Sequence, residues 1–251
     1  MVSPGKVAFT LFGVDIMWYG VLIGIGMLLA CSIAYMRAPR HEIDKDRFLD
    51  MLLISVPVGI VGARLYYVVF EWERYADNLG EIFNIRNGGL AIHGGLIFGL
   101  GCAAILCKVW KVNALDVLDI ALPSVALAQA IGRWGNFFNE EAHGGSTDFP
   151  INVLIDGQTY HATFLYESVW CLLLCVVLLL IDRNRKFKGQ IALLYGILYS
   201  LERFFVEGLR TDSLMIGDFR MAQLLSLTVI AVCIVLYIIA VKRQKKGTKE
   251  I

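Results

Sequence analysis

The sequence predicts an all-α integral membrane protein of seven transmembrane helices. The N-terminus lies outside, the C-terminus is cytoplasmic, and a small extracytoplasmic insertion separates spans four and five. Three observations carry this. The 251 residues are 57% hydrophobic and 18% charged, with a mean hydropathy of +0.64, whereas soluble domains hold roughly 45–50% apolar and about 25% charged residues. Seven stretches are long and apolar enough to cross a hydrocarbon core of roughly 30 Å. Basic residues collect on alternate connections. This composition excludes a disordered chain and a basic nucleic-acid-binding protein, and argues against a soluble enzyme; no nucleic-acid partner is expected. The net charge of +1, from 23 Lys+Arg and 22 Asp+Glu, matters less than where the charges sit.

The spans are expected near residues 17–36, 51–72, 88–110, 117–138, 164–181, 190–208 and 221–241. The first, fifth and seventh are almost purely apolar, and the fifth and seventh lack the polar face of a soluble amphipathic helix. The second, third, fourth and sixth contain Arg, His, Asn or several Gly, which weakens them as spans and recommends them as sites. No small-x-small cleavage pattern precedes the first span. With no repeat or low-complexity linker, residues 1–251 are expected to be one polytopic membrane domain. Residues 139–163 are the longest polar stretch, an extracytoplasmic loop or small head region. Within it, Asn152-Val153-Leu154-Ile155, the turn pair Asp156-Gly157 and then Thr159-Tyr160 predict a small hairpin.

Basic residues orient the spans. Arg37, Arg40, Lys45 and Arg47 follow span one, Lys108 and Lys111 span three, and Arg183, Arg185, Lys186 and Lys188 span five. The tail adds Lys242, Arg243, Lys245, Lys246 and Lys249. The other side holds only Lys6, Arg74, Arg86, Arg210 and Arg220. All six cysteines (Cys31, Cys102, Cys107, Cys171, Cys175, Cys233) fall inside spans with no Cys-x-x-Cys pair. They read as small hydrophobes, without disulfide, metal or catalytic duty.

Arg64, Arg133 and Arg203 remain inside spans, where a charge costs about 2.5–3.5 kcal/mol on insertion scales and so marks a site. In the expected topology they sit roughly 7–12 Å below the outer surface at 1.5 Å rise per residue. His93 and Tyr19 lie near the outer ends of spans three and one, so five polar groups are expected at one level. A snorkelling or structurally paired Arg64 is the plain alternative. Arg133 has polar company: it shares a helical face with Asn136, which Asn139 continues, and Gly132 and Gly135 admit a ligand or another helix. Tyr199, Arg203, Glu207 and Arg210 form one stripe of span six. Glu207 can pair with either arginine of that stripe, and a second arginine across the bundle is then expected to leave net positive charge. That charge suits an anion such as a lipid phosphate, which Arg donors match bidentately. His93, flanked by glycines, is either a packed core histidine or a proton acceptor beside the phosphate; Gly95 and Gly99 are packing glycines or part of the same site. Intramembrane serine protease and metalloprotease motifs do not occur. Asp116 and Asp119 are too few for a two-metal phosphotransferase, and Asp119 is expected to cap or pack a helix.

Gly132-Arg133-Trp134-Gly135-Asn136-Phe137-Phe138-Asn139 through Glu141 and Gly144 resembles the signature of the bacterial prolipoprotein diacylglyceryl transferase family. The likeness extends through Trp18-Tyr19-Gly20, Gly62-Ala63-Arg64, His93-Gly94-Gly95-Leu96, Leu165-Tyr166-Glu167-Ser168, Arg203-Phe204-Phe205-Val206-Glu207 with Arg210, and Gln223-Leu224-Leu225-Ser226. The resemblance implies transfer of the diacylglyceryl group of phosphatidylglycerol to the lipobox cysteine of a preprolipoprotein, with a thioether formed and glycerol phosphate released. It implies a bacterial plasma-membrane enzyme working toward the outer leaflet, with membrane lipid as a partner and no cofactor or metal. His93, Arg133 and Arg203 are then the expected catalytic residues, the two arginines as the phosphate-binding pair. Tyr19, Arg64, Asn136, Asn139, Glu141, Gly144, Tyr199, Glu207 and Arg210 are the expected further contacts to phosphatidylglycerol. The chain departs from the family at Ala162, where Pro is common, expected to loosen a loop near the lipid entrance, and at Glu140, where Gly is common, adding an acid beside the site. Buried arginines would also serve an anion or lipid transporter, but the paired broken helices of inverted repeats are not found.

Overall fold

The computed structural model describes residues 1–84, 88–211, 213–217 and 219–247; the orienting residues Arg86 and Lys249 lie outside them. Among the described residues are seven α-helices: α1 (Trp18–Arg37), α2 (Lys45–Phe70), α3 (Ile92–Val109), α4 (Ala114–Asn139), α5 (Thr163–Asp182), α6 (Gln190–Leu209) and α7 (Met221–Gly247). Each expected span finds its helix. Six of these helices are long and apolar enough to cross a membrane. The sixth expected span, α6, is not among them, because Glu202, Arg203 and Glu207 crowd its second half.

Short hairpins accompany the helices. Among the described residues three are antiparallel: β1 (Val7–Leu11) with β2 (Val14–Met17), β3 (Asn152–Ile155) with β4 (Gln158–His161), and β5 (Met215–Ile216) with β6 (Phe219–Arg220). The middle one is the hairpin expected in the polar stretch. Asp156 and Gly157 take φ of 49° and 80°, the left-handed pair that a tight two-residue hairpin turn requires.

The chain divides into two compact units, Met1–Ala34 with Leu118–Ile251, and Tyr35–Val117. In the first, α4, α5 and α6 each turn a buried stripe inward. On α5 it is Glu167, Cys171, Leu174, Cys175 and Leu178; on α4 it includes Ile120, Ala126, Ala130 and Phe137. Trp134 of α4 donates from Nε1 to Ser168 Oγ at 3.1 Å, and Ser168 donates to the Ala130 carbonyl at 2.8 Å. α1 reaches α4 through small residues: a Cβ on Gly26 would stand 3.3 Å from the Ala128 backbone, and one on Gly135 would collide with the Tyr19 ring. Gly135 therefore admits a helix, whereas a Cβ on Gly132 would meet only the end of the Ile23 side chain, at 3.4 Å. Asp119 has the capping role expected of it, but for α6 instead of its own helix. Its carboxylate accepts from the backbone N–H groups of Gly189 and Ala192, each at 2.8 Å, and from Arg185 at 2.9 Å.

In the second unit α2 packs on α3 along a seam of small residues. A Cβ on Gly59 would sit 3.3 Å from the Gly95 carbonyl, and Gly62 and Gly94 have no room for one. Gly95 and Gly99 line the same seam, although a Cβ on either would meet its neighbours only at an ordinary 3.5–3.6 Å. The third span starts later than expected, at Ile92 instead of 88. Gly88 and Gly89 stand at φ +81° and +78°, a left-handed backbone that cannot open a helix.

Candidate active site

One carboxylate joins two arginines of the first unit. Glu167 Oε1 on α5 lies 2.7 Å from Arg203 Nη1 on α6 and 3.1 Å from Arg133 Nη2 on α4. Arg203 also pairs through Nη2 with Glu207 Oε2 at 2.7 Å, one turn along α6. The two acids are buried, with side chains 1% and 5% exposed, while the arginines keep 21% (Arg133) and 19% (Arg203) of theirs open. Three helices thus hold two guanidinium groups on either side of one oxygen, each partly open. Glu167 and Glu207 are the acids that Arg133 and Arg203 pair with, while Arg210, the other arginine of the α6 stripe, bridges to Gly144 at the end of the helix. Glu167 was legible as the one acid inside an otherwise apolar fifth span.

Around this cluster α6 adds aromatic rings. Tyr199, one turn before Arg203, stacks on Tyr195 with centroids 5.3 Å apart and planes at 5°; Tyr195 in turn donates to Gln129 at 2.8 Å, one turn before Arg133. Tyr199 also lies within electrostatic range of both arginines. Tyr19 covers Gly135 and is 40% exposed. Asn136 is half-buried, and its carbonyl accepts from the Glu141 N–H at 3.0 Å. Asn139 donates to the exposed Glu141 at 3.2 Å.

Gly144 is a junction. Its N–H donates to the His161 carbonyl at 3.1 Å, the next N–H reaches the Leu209 carbonyl at 2.9 Å, and Gly144 bridges to Arg210. A Cβ at Gly144 would press on His161 and Thr163 and on the Leu209 carbonyl, so only glycine lets the 140s turn touch β4 and the end of α6 together. The hydroxyl of Thr163 ties in the Ala142 carbonyl at 2.6 Å. Glu207 is held from a second side, since Arg220 donates to its backbone carbonyl. Ala162, where the family commonly has Pro, is fully buried in a cluster with Phe137, Val153 and Phe164.

Arg64 and His93 belong to the second unit. All five N–H groups of Arg64 meet backbone carbonyls: Nε that of Ile82, Nη1 those of Gly88 and Gly89, and Nη2 those of Glu81 and Asn84, at 2.7–3.0 Å. Its guanidinium also lies 5.1 Å over the Tyr75 ring. His93 is exposed in the first turn of α3, its ring 6.2 Å from that of Tyr66.

Residues 6–239 match the family described as prolipoprotein diacylglyceryl transferase. A phosphatidylglycerol–prolipoprotein diacylglyceryl transferase of Clostridioides difficile (strain 630) is 50% identical over 245 residues, 98% of this chain and 99% of that one. Its namesake in Finegoldia magna is 50% identical over 93% of this chain and 94% of its own length. That of Clostridium novyi (strain NT) is 48% identical over 97% and 99%. Nothing in these likenesses favours a transporter, and the chain belongs to the prolipoprotein diacylglyceryl transferase family.

Proposed function

We propose that this protein transfers the diacylglyceryl group of phosphatidylglycerol to the lipobox cysteine of a preprolipoprotein, and that Arg133 and Arg203 hold the lipid phosphate. It is a multi-pass membrane transferase of lipoprotein maturation. The pattern of basic residues supports seven crossings in one domain of the bacterial plasma membrane, with the N-terminus outside and the site in the outer leaflet. The observation that carries the phosphate assignment is the shared Glu167 oxygen. It holds the guanidinium groups of Arg133 on α4 and Arg203 on α6 to one point on α5, through one nitrogen of each, and planar guanidinium donors suit phosphate oxygens.

The chemistry follows from the charges. The substrate thiol, with an unperturbed pKa of about 8.5, holds only a few per cent thiolate near neutral pH. His93 accepts its proton, directly or through water. The sulfur attacks the glycerol carbon bearing the phosphate, a C–S bond forms, and the C–O bond breaks with its electron pair leaving on the phosphate of glycerol phosphate. Negative charge grows on that phosphate, and Arg133 and Arg203, in a water-poor setting, stabilise it more than the diester ground state. Tyr199 borders the pair. Tyr19, Asn136, Asn139, Glu141, Glu207 and Arg210 shape and hold the surroundings, and Gly144 lets the turn close. Arg64, with every donor occupied, acts as a positioning residue and not as a phosphate ligand.

The test is direct. Purified protein, phosphatidylglycerol and a lipobox peptide should yield a peptide heavier by one diacylglyceryl group. Arg133→Ala and Arg203→Ala should each lower turnover by a factor of about 100 or more while still inserting in membranes. Wild-type turnover from either variant refutes the phosphate clamp.

A further inference from the structure

On one stripe of α6, Ile191, Glu202 and Val206 are buried and Tyr195 and Leu198 partly so, and the 3.6-residue period favours apolar side chains along such a stripe. Glu202 breaks the rule. It is 5% exposed, and neither carboxyl oxygen has a hydrogen-bond partner among the described residues. The charged and titratable groups around it are Arg133 from α4, Glu167 and Cys171 from α5, and Arg203 on its own helix. Glu167 presents a second orphan, for its Oε2 also lacks a partner while Oε1 serves both arginines.

An ionised carboxylate buried without donors and beside another carboxylate is strongly disfavoured; a proton relieves both problems. A protonated Glu202 also has one O–H to give, which complements the unpartnered acceptor on Glu167. Charge arithmetic points the same way. Arg133 and Arg203 already face Glu167 and Glu207, and a third negative charge would turn the cluster against an anionic phosphate.

We propose that Glu202 is a positioning residue that rests protonated behind the arginine pair, keeping the cluster neutral so that a lipid phosphate enters, and that its ionisation closes the site to that phosphate. This rests on the reading of Arg133 and Arg203 as phosphate ligands. The experiment compares wild type and Glu202→Gln, full length in lipid nanodiscs, by infrared spectroscopy and by the KM for phosphatidylglycerol across pH.

The wild type should show a deuterium-sensitive protonated-carboxyl band at neutral pH that Glu202→Gln lacks. Where rising pH removes the band, the wild-type KM should climb about tenfold or more, while that of Glu202→Gln stays flat. Changes in kcat common to both proteins report the peptide thiol. Absence of the band at neutral pH, parallel KM profiles, or a band that persists to the alkaline limit each overturn the proposal. A band present as expected alongside an Arg133→Ala variant of undiminished phosphatidylglycerol affinity overturns the phosphate reading instead.

Discussion

Arg64 and the pair Arg133 and Arg203 look alike in the sequence, each a lone cation in an apolar span at a similar expected depth. Their surroundings are opposite. Arg64 is 7% exposed and gives all five N–H groups to the carbonyls of residues 81–89. Arg133 and Arg203 meet carboxylates and keep about a fifth of each side chain open. A cation surrounded by backbone carbonyls organises chain; a cation balanced on one carboxylate oxygen, with donors left over, can organise a ligand. Residue type and depth do not separate these duties. Partner type does.

The largest effect that tests this contrast falls on stability. Arg64→Ala strips five carbonyls of their donor, and buried acceptors left unmade cost about 1–3 kcal/mol each, less than additively. A loss of about 3 kcal/mol or more is expected, measured by thermal unfolding in detergent, with KM for phosphatidylglycerol unmoved in whatever protein stays folded. Unchanged unfolding together with a raised KM would return Arg64 to the phosphate site and erase the contrast.

The next effect asks whether the second unit contributes chemistry as well as scaffold. His93 stands in the same unit as Arg64, yet it is exposed at the start of α3. As the acceptor of the thiol proton it should be worth a factor of about 100 or more in turnover. His93→Gln, which keeps a polar side chain of similar reach, is expected to lose that much in the peptide mass-gain assay with its unfolding unaltered. A loss below about tenfold would leave His93 as a residue that orders the site.

Helices were legible because their signal is local: each expected span overlaps its helix, with the largest misses at the start of α2 and the end of α7, and the Asp156-Gly157 turn announced its hairpin. The late start of α3 was hidden because what prevents a helix at Gly88 and Gly89 is their positive φ, beside the guanidinium of Arg64 on another helix. The pairing of Arg133 and Arg203 with Glu167 was hidden for a similar reason. Glu167 sits 34 residues from Arg133 and 36 from Arg203 in the chain, and no periodicity links them; only packing of α5 between α4 and α6 does. Glu202 had a visible signal, a charged residue on the buried period of α6, but the neighbouring stripe of Tyr199, Arg203, Glu207 and Arg210 masked it.

The smallest effect separates an acid that matters from one that only occupies a backbone position. Glu140 joins the acids near Arg133 in the sequence, but it is exposed and stands at φ +55° in the turn leaving α4. For a residue with a Cβ, that left-handed conformation costs about 1–2 kcal/mol, and glycine escapes the penalty. Glycine also loses more freedom on folding, which cancels part of the gain. Glu140→Gly is therefore expected to stabilise the protein by up to about 1 kcal/mol, seen as a rise in Tm with turnover and KM unchanged. A shift in KM for phosphatidylglycerol would mean that the phosphate senses this charge as well. The acids that set the site's field would then extend past Glu167, Glu202 and Glu207 into the turn after α4.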